Sequence, residues 1–179
     1  MIRALRSREK FEAAAELVLH RLPLTLSALL LLAAIAINFS NVVARYLLHA
    51  SIYWADEAMV YLVIWSIFLA AIAVTYDGGH LTMDLFSARL SPRWQRALDG
   101  AIAAVSILTF AFMAWQAMTV VRTLLRNDQR SIALDIPIAV AHSALLVGFV
   151  FSALVVAVRV GLGHRIVKPM SPDDAISGI

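Results

Sequence analysis

The stretch "IYWADEAMVYLVIW" at residues 52–65 places two acids, Asp56 and Glu57, at the head of a strongly apolar run. The run continues without a charged residue to Tyr76. A helix needs about 20 apolar residues to cross the hydrocarbon of a bilayer. Since a carboxylate inside hydrocarbon is costly, the two acids must lie at the membrane surface, have a partner or carry a function.

The composition is that of a membrane protein. Hydrophobic residues make up 61% of the 179 residues, charged residues make up 15%, and the mean hydropathy is +0.82. Soluble domains contain about 45–50% apolar and about 25% charged residues, so this chain has too little polar surface to cover a water-exposed globule. Cysteine is absent, which excludes disulfides, thiolate metal sites and cysteine catalysis.

Four long apolar runs predict an all-α membrane protein with four transmembrane helices. Their approximate bounds are 22–44, 55–76, 97–121 and 137–158, within a membrane domain of residues 22–160. The first run is interpreted as a retained span, because a long charged segment precedes it and no small-residue cleavage pattern follows it. Pro92 after Ser91 is a helix start signal, so the third helix is expected to begin before its membrane core.

Residues 1–21 predict an amphipathic helix on the membrane interface. Its apolar side chains recur at helical spacing: Ala4, Phe11, Ala15, Val18 and Leu22. Polar side chains line the opposite face: Glu9, Glu12, Glu16 and His20. Docking of this helix on a partner protein is the alternative. A short amphipathic segment carrying Leu81, Leu85 and Phe86 is expected between helices 2 and 3, and residues 161–179 form a tail.

The distribution of basic residues predicts that both termini lie in the cytoplasm. Eleven of the 15 lysines and arginines lie before the first run, in the second connection or in the tail. The other four are Arg45, Arg122, Arg126 and Arg130, in the first and third connections. Because cytoplasmic segments carry the excess of lysine and arginine, the first and third connections are expected to face outward.

This topology places Asp56 and Glu57 in the first turn of helix 2, where the helix dipole favours carboxylates. Arg45, at the end of helix 1, should lie close to one of them because the connection is short. Aromatic residues suited to a membrane interface flank the acids: Tyr46, Tyr53 and Trp54. The simplest interpretation is a charge-clamped hairpin. A polar contact with a partner protein and a proton or ion relay are the alternatives.

No pattern in the sequence indicates an enzyme or a cofactor site. P-loop, dinucleotide-binding and HExxH patterns are absent, and no serine has the context of a catalytic nucleophile. His80 and His142 are predicted at opposite ends of the bundle, so they cannot share a haem iron. Helices 3 and 4 lack the buried acids and broken segments of transporter sites. Nothing indicates nucleic-acid binding.

Four motifs occur in an order that resembles a known transporter family. They are "ARY" at 44–46, "YWADEAMVYLVIW" at 53–65, "GGHLTMDLF" at 78–86 and "QRSIALDIP" at 129–137. The chain resembles the DctQ-like small membrane subunit of tripartite ATP-independent periplasmic (TRAP) transporters. The family commonly has two glutamates after the tryptophan, where this chain has Asp56 and Glu57.

The resemblance implies a multi-pass protein of the bacterial inner membrane that works with two partners. A large permease subunit would carry the substrate and sodium sites, and a periplasmic binding protein would deliver an organic anion, typically a carboxylate. The small subunit would act as a scaffold, without substrate, metal or cofactor sites of its own. Structural or interface candidates are Arg45, Tyr46, Trp54, Asp56, Glu57, His80, Gln129 and Pro137. A haem-bearing or structural anchor of a respiratory complex, and a self-sufficient ion-coupled transporter, are the alternatives.

Overall fold

A computed structural model describes residues 14–77 and 92–161 of the chain. These residues are helical, without strands, apart from the turns and connections between the helices. The four helices are α1 (Leu22–Leu47), α2 (Ala55–Asp77), α3 (Pro92–Arg126) and α4 (Ala139–Gly161). Each is long and apolar enough to span a membrane, so the predicted all-α architecture with four transmembrane helices is confirmed.

The helix ends depart from the hydropathy bounds mainly where polar residues continue a helix beyond its apolar core. α3 begins at Pro92, the position given by the Ser-Pro start signal, and ends at Arg126 rather than near residue 121. α1 extends to Leu47, past Arg45. The predicted segment around Leu81, including His80, and the tail from residue 162 lie outside the described residues.

The helices pack in the spatial order α1, α2, α4, α3, because α2 contacts both α1 and α4 while α3 packs on α4. Small buried residues of α4, Ala144, Gly148 and Ser152, recur every four residues. A Cβ atom at Gly148 would lie only 2.8 Å from Cδ1 of Phe68. The glycine therefore permits the close approach of α2 and α4, as small residues commonly do between membrane helices.

Hydrogen bonds from polar side chains join α2 to both of its neighbours. The Ser66 hydroxyl donates to the carbonyl of Ser27 in α1 at 2.9 Å. The Trp65 indole N–H donates to the carbonyl of Val140 in α4 at 3.1 Å. Both bonds satisfy polar groups that would otherwise be costly in an apolar environment.

Residues 14–21 continue directly into α1 through a π-helical turn, Leu17–Arg21, in which the Leu22 N–H donates to the Leu17 carbonyl. Pro23 follows at the start of α1 and has no N–H to donate to the preceding turn. The described part of the predicted interfacial helix is thus continuous with the first span. Residues 1–13 lie outside the described residues.

Of the described apolar side chains predicted for the interfacial face, only Ala15 is buried in the bundle. Ala15 and Leu19 are buried against Ile72 of α2 and Val155 of α4, whereas Val18 and Leu22 are exposed. The prediction assumed the 3.6-residue α-helical period throughout. A π turn is wider, with i→i+5 bonds, and this keeps side chains four residues apart on one face.

Candidate functional site

Charged side chains cluster at the end of the bundle formed by connections 48–54 and 127–138, here called the loop end. Asp56 Oδ2 lies 3.4 Å from Arg45 Nη2, so Arg45 does lie close to one of the two acids, as the short connection predicts. Asp56 Oδ1 accepts a second hydrogen bond at 3.0 Å from the amide of Asn41. The first hairpin is therefore closed by side chains from both of its helices.

Asn41 is a structural residue that the sequence analysis missed. It is only 2% exposed, and its Oδ1 accepts the backbone N–H of Ile52 at 3.0 Å. With its bond to Asp56, the Asn41 side chain joins α1 to the connection and to α2. The available signal was an amide one turn before Arg45 inside an apolar run, because intramembrane polar residues usually face protein rather than lipid.

The end of α1 turns tightly into the first connection. The backbone N–H groups of Leu48 and Ala50 both donate to the Ala44 carbonyl, at 3.2 and 3.1 Å. Between them, His49 has a φ of 54°, in the left-handed region that helix ends usually fill with glycine. This turn returns the chain towards α2 within a few residues.

Glu57 makes a different set of contacts from its neighbour Asp56. Its carboxylate accepts three consecutive backbone N–H groups, from Ile132 at 3.1 Å and from Ala133 and Leu134 at 3.0 Å each. Successive N–H groups that converge in this way form an anion-binding nest. Glu57 therefore binds the third connection rather than Arg45, a partner that the sequence analysis did not identify.

The third connection is held in a hairpin-like shape around this nest. The Ser131 N–H donates to the Ile136 carbonyl at 2.9 Å, and the Ile138 N–H donates to the Gln129 carbonyl at 3.0 Å. Gln129 and Pro137, which were predicted as candidates, thus act through the main chain. Pro137 lies in the single β-bridge of the described residues, opposite Arg130.

Arg130 reinforces the same connection. Its guanidinium lies 3.2 Å from Asp128 and 3.6 Å from Asp135, and it also donates to the Asp135 carbonyl at 3.2 Å. Both aspartates have a positive φ, of 44° and 53°, a conformation that Asp tolerates better than most residues. The predicted motif "QRSIALDIP" therefore encodes a loop that presents three N–H groups to Glu57.

The remaining predicted candidates at the loop end are aromatic. Tyr46, Tyr53 and Trp54 are all exposed. They project from the same level as the charged groups, which suits amphipathic rings at a membrane–water boundary.

The opposite end of α2 is held by a second set of polar contacts. Arg159 of α4 donates to the carbonyls of Tyr76 at 2.8 Å and Thr75 at 3.3 Å. His20 Nε2 lies 3.1 Å from Asp77 Oδ1. The sequence analysis placed His20 on the polar face of the N-terminal helix and assigned no contact to Arg159, so both roles were missed.

The described residues contain no group of three or more His, Cys, Asp or Glu side chains arranged to hold a metal ion. His142 directs its Nδ1 to the Ile138 carbonyl of its own chain at 3.2 Å. The charged groups described above join elements of the chain to one another. Four apolar helices tied at both ends in this way define a multi-pass helical membrane protein.

Comparison with known families identifies the group to which it belongs. Residues 34–163 match the family described as "Tripartite ATP-independent periplasmic transporters, DctQ component". The match covers most of the chain, including the polar contacts of Asp56 and of Glu57 at the loop end. The chain belongs to this family. No curated protein is significantly similar to it. Membership makes the chain the small membrane subunit of a TRAP transporter, a family of transporter components that implies a large permease and a binding protein as partners.

Proposed function

We propose that this chain is a scaffold that holds the large permease subunit for sodium-driven, binding-protein-dependent uptake of an organic anion, typically a carboxylate. The observation that carries the proposal is that polar side chains bond to other parts of the same chain. In the described residues, the hydrogen-bonding side chains of Ser66, Trp65, Asp56 and Glu57 are engaged with neighbouring elements of the same chain. These contacts build a rigid frame and leave the transport chemistry to a partner.

The shape of the bundle supports the same proposal. α1 and α3 lie at the two ends of the packing order, and both carry many exposed large apolar side chains, such as Phe39 and Leu108. Such faces must be covered by lipid or by another membrane protein. Helices that pack in a row expose more surface to a large partner than the same helices in a compact bundle do.

Reconstitution in liposomes tests the scaffold function. We expect no organic anion uptake by this chain alone. With the large subunit and the binding protein present, we expect sodium-driven uptake and a large subunit that melts at a higher temperature than it does alone. Sodium-driven uptake by the chain without any other subunit would contradict the proposal and favour the self-sufficient transporter. Membership in a transporter family already favours transport over a respiratory anchor.

We further propose that the protein lies in the bacterial inner membrane with both termini in the cytoplasm, on the basis of its eleven-to-four distribution of basic residues. The absence of cysteine makes labelling of introduced cysteines direct. Cysteines at positions 50 and 128 should react with an impermeant reagent added to intact cells. Reaction at positions 8 and 168 instead would reverse the topology.

A further inference from the structure

One side of α3 carries a line of exposed side chains at heptad-like spacing. The line, here called the α3 seam, consists of Val105, Thr109, Phe112, Gln116 and Thr123. At 100° per residue these positions fall within about 60° of one another around the helix. The buried residues of α3, Ala103 and Ala117, fall on another side. The seam is therefore distinct from the face that packs on α4.

The seam is polar at intervals of seven residues, at Thr109, Gln116 and Thr123. The Thr123 hydroxyl donates to the Thr119 carbonyl of its own helix at 2.9 Å, so it can face lipid at little cost. The Gln116 amide makes no hydrogen bond to any described residue. It lies six residues before Arg122, which is about 9 Å deeper along the helix. An amide at this depth is costly without a hydrogen-bonding partner.

Neighbouring exposed positions on α3 behave differently. Leu108 and Trp115 lie about 80–100° from Gln116 around the helix, and both are large and apolar. Trp115 is 74% exposed, compared with 59% for Phe112 in the seam. The polar residues of the seam, Thr109, Gln116 and Thr123, thus follow one line along the helix, and large apolar side chains lie beside that line. A helix face that contacts only lipid needs no polar side chains, whereas contacts between membrane helices are commonly rich in Thr, Gln and other hydrogen-bonding residues.

We infer that the α3 seam is the contact surface for one transmembrane helix of the large permease subunit, and that this helix supplies a hydrogen-bonding group at the depth of Gln116. The inference rests on the proposed scaffold function, which requires a large membrane partner. Heptad spacing permits side chains of two helices to interdigitate, and a single polar residue in such a contact fixes its register. Gln116 would therefore set how far the two helices are shifted along each other.

Photo-crosslinking of the complete complex tests the location of the contact. Phe112→p-benzoylphenylalanine and Trp115→p-benzoylphenylalanine form a matched pair, because both replace an exposed aromatic residue of the same helix within one turn. We expect the first variant to crosslink to the large subunit and the second to crosslink weakly or only to lipid. A crosslink at 115 but not at 112, or crosslinks from 112 only to lipid or to a second copy of this chain, would overturn the inference.

A binding titration in detergent tests the role of the amide. We expect Gln116→Leu to weaken binding of the large subunit roughly threefold, the size of an average hydrogen bond between membrane helices. Thr119→Val is the control, because the Thr119 hydroxyl bonds the Trp115 carbonyl of its own helix. The melting temperature of each isolated variant shows whether it is folded.

The outcomes separate this inference from the scaffold function. If the unaltered chain binds the large subunit and the folded Gln116→Leu variant binds it equally well, the inference about the α3 seam is wrong, while the scaffold function is unaffected. If the unaltered chain does not bind the large subunit at all, the scaffold function itself fails.

Discussion

The two ends of α2 are held by opposite arrangements of charge. At the loop end the charge lies on α2, where Glu57 accepts main-chain N–H groups from the third connection. At the other end α2 offers main-chain carbonyls, and the charge lies on Arg159 of α4. Both arrangements complement the helix dipole, with a carboxylate near the N-terminus and a cation near the C-terminus.

The difference between the ends lies in what each charge organises. Glu57 holds an irregular connection, whose N–H groups at 132–134 have no helix or sheet to bond to. Arg159 binds carbonyls of a helix that is already formed. The two ends should therefore differ in sensitivity, with the largest effects at the loop end.

The largest effect is expected from Glu57→Gln. The carboxamide keeps one acceptor oxygen but turns an NH₂ group towards main-chain N–H groups that need acceptors. We expect the amide protons of 132–134 to exchange with solvent at least about tenfold faster, and the yield of the complex to fall. Asp56→Asn is the matched control and should leave these three protons protected. If Glu57→Gln kept them protected but altered the sodium dependence of transport, the acid would belong to an ion path.

Asn41→Leu should have the next largest effect. The change removes the acceptor of the Ile52 N–H and the buried amide that donates to Asp56. We expect a loss of about 2 kcal/mol in the free energy of unfolding. Asn38→Leu is the control on the same helix, because Asn38 is exposed. Unfolding in detergent should show a clear loss for Asn41→Leu and little change for Asn38→Leu. Equal losses would mean that the buried bonds of Asn41 contribute nothing.

At the opposite end, Arg159→Ala should cost about 1 kcal/mol, because it removes a cation from the last turn of α4 and from the carbonyls at the end of α2. Arg159→Lys should recover part of this loss, since it keeps the charge near the same carbonyls. Both values come from thermal unfolding of the isolated subunit. A loss at Arg159 that exceeded the loss at Asn41 would reverse the ranking of the two ends.

The smallest effect is expected for the ion pair between Arg45 and Asp56. Their side chains are 50% and 67% exposed, and exposed pairs contribute about 0.5 kcal/mol. A double-mutant cycle of Arg45→Ala and Asp56→Asn should yield a coupling of this size. The same cycle with Glu57→Gln in place of Asp56→Asn should yield none, because Arg45 pairs with Asp56. Coupling to Glu57 instead would mean that Arg45 pairs with Glu57 when the protein lies in the membrane.

Several features could be predicted because they depend on residues that are close together in the chain. The apolar run from Ala58 to Tyr76 is long enough to span hydrocarbon whatever surrounds it. Arg45 must lie near an acid of α2 because the connection is too short to separate them. The start of α3 at Pro92 follows from a local signal.

The tertiary structure decided which distant elements meet. The carboxylate of Glu57 was visible in the sequence, but its partners are main-chain N–H groups. Every residue except proline carries such a group, so residue types give no signal for these partners. The order α1, α2, α4, α3 depends on where small residues such as Gly148 let two helices approach, and hydropathy does not record this. The π turn at Leu17–Arg21 also decides which side chains of the N-terminal segment face the bundle. The composition and the lengths of the apolar runs thus determine the membrane spans, while packing geometry and main-chain hydrogen bonding determine which elements contact one another.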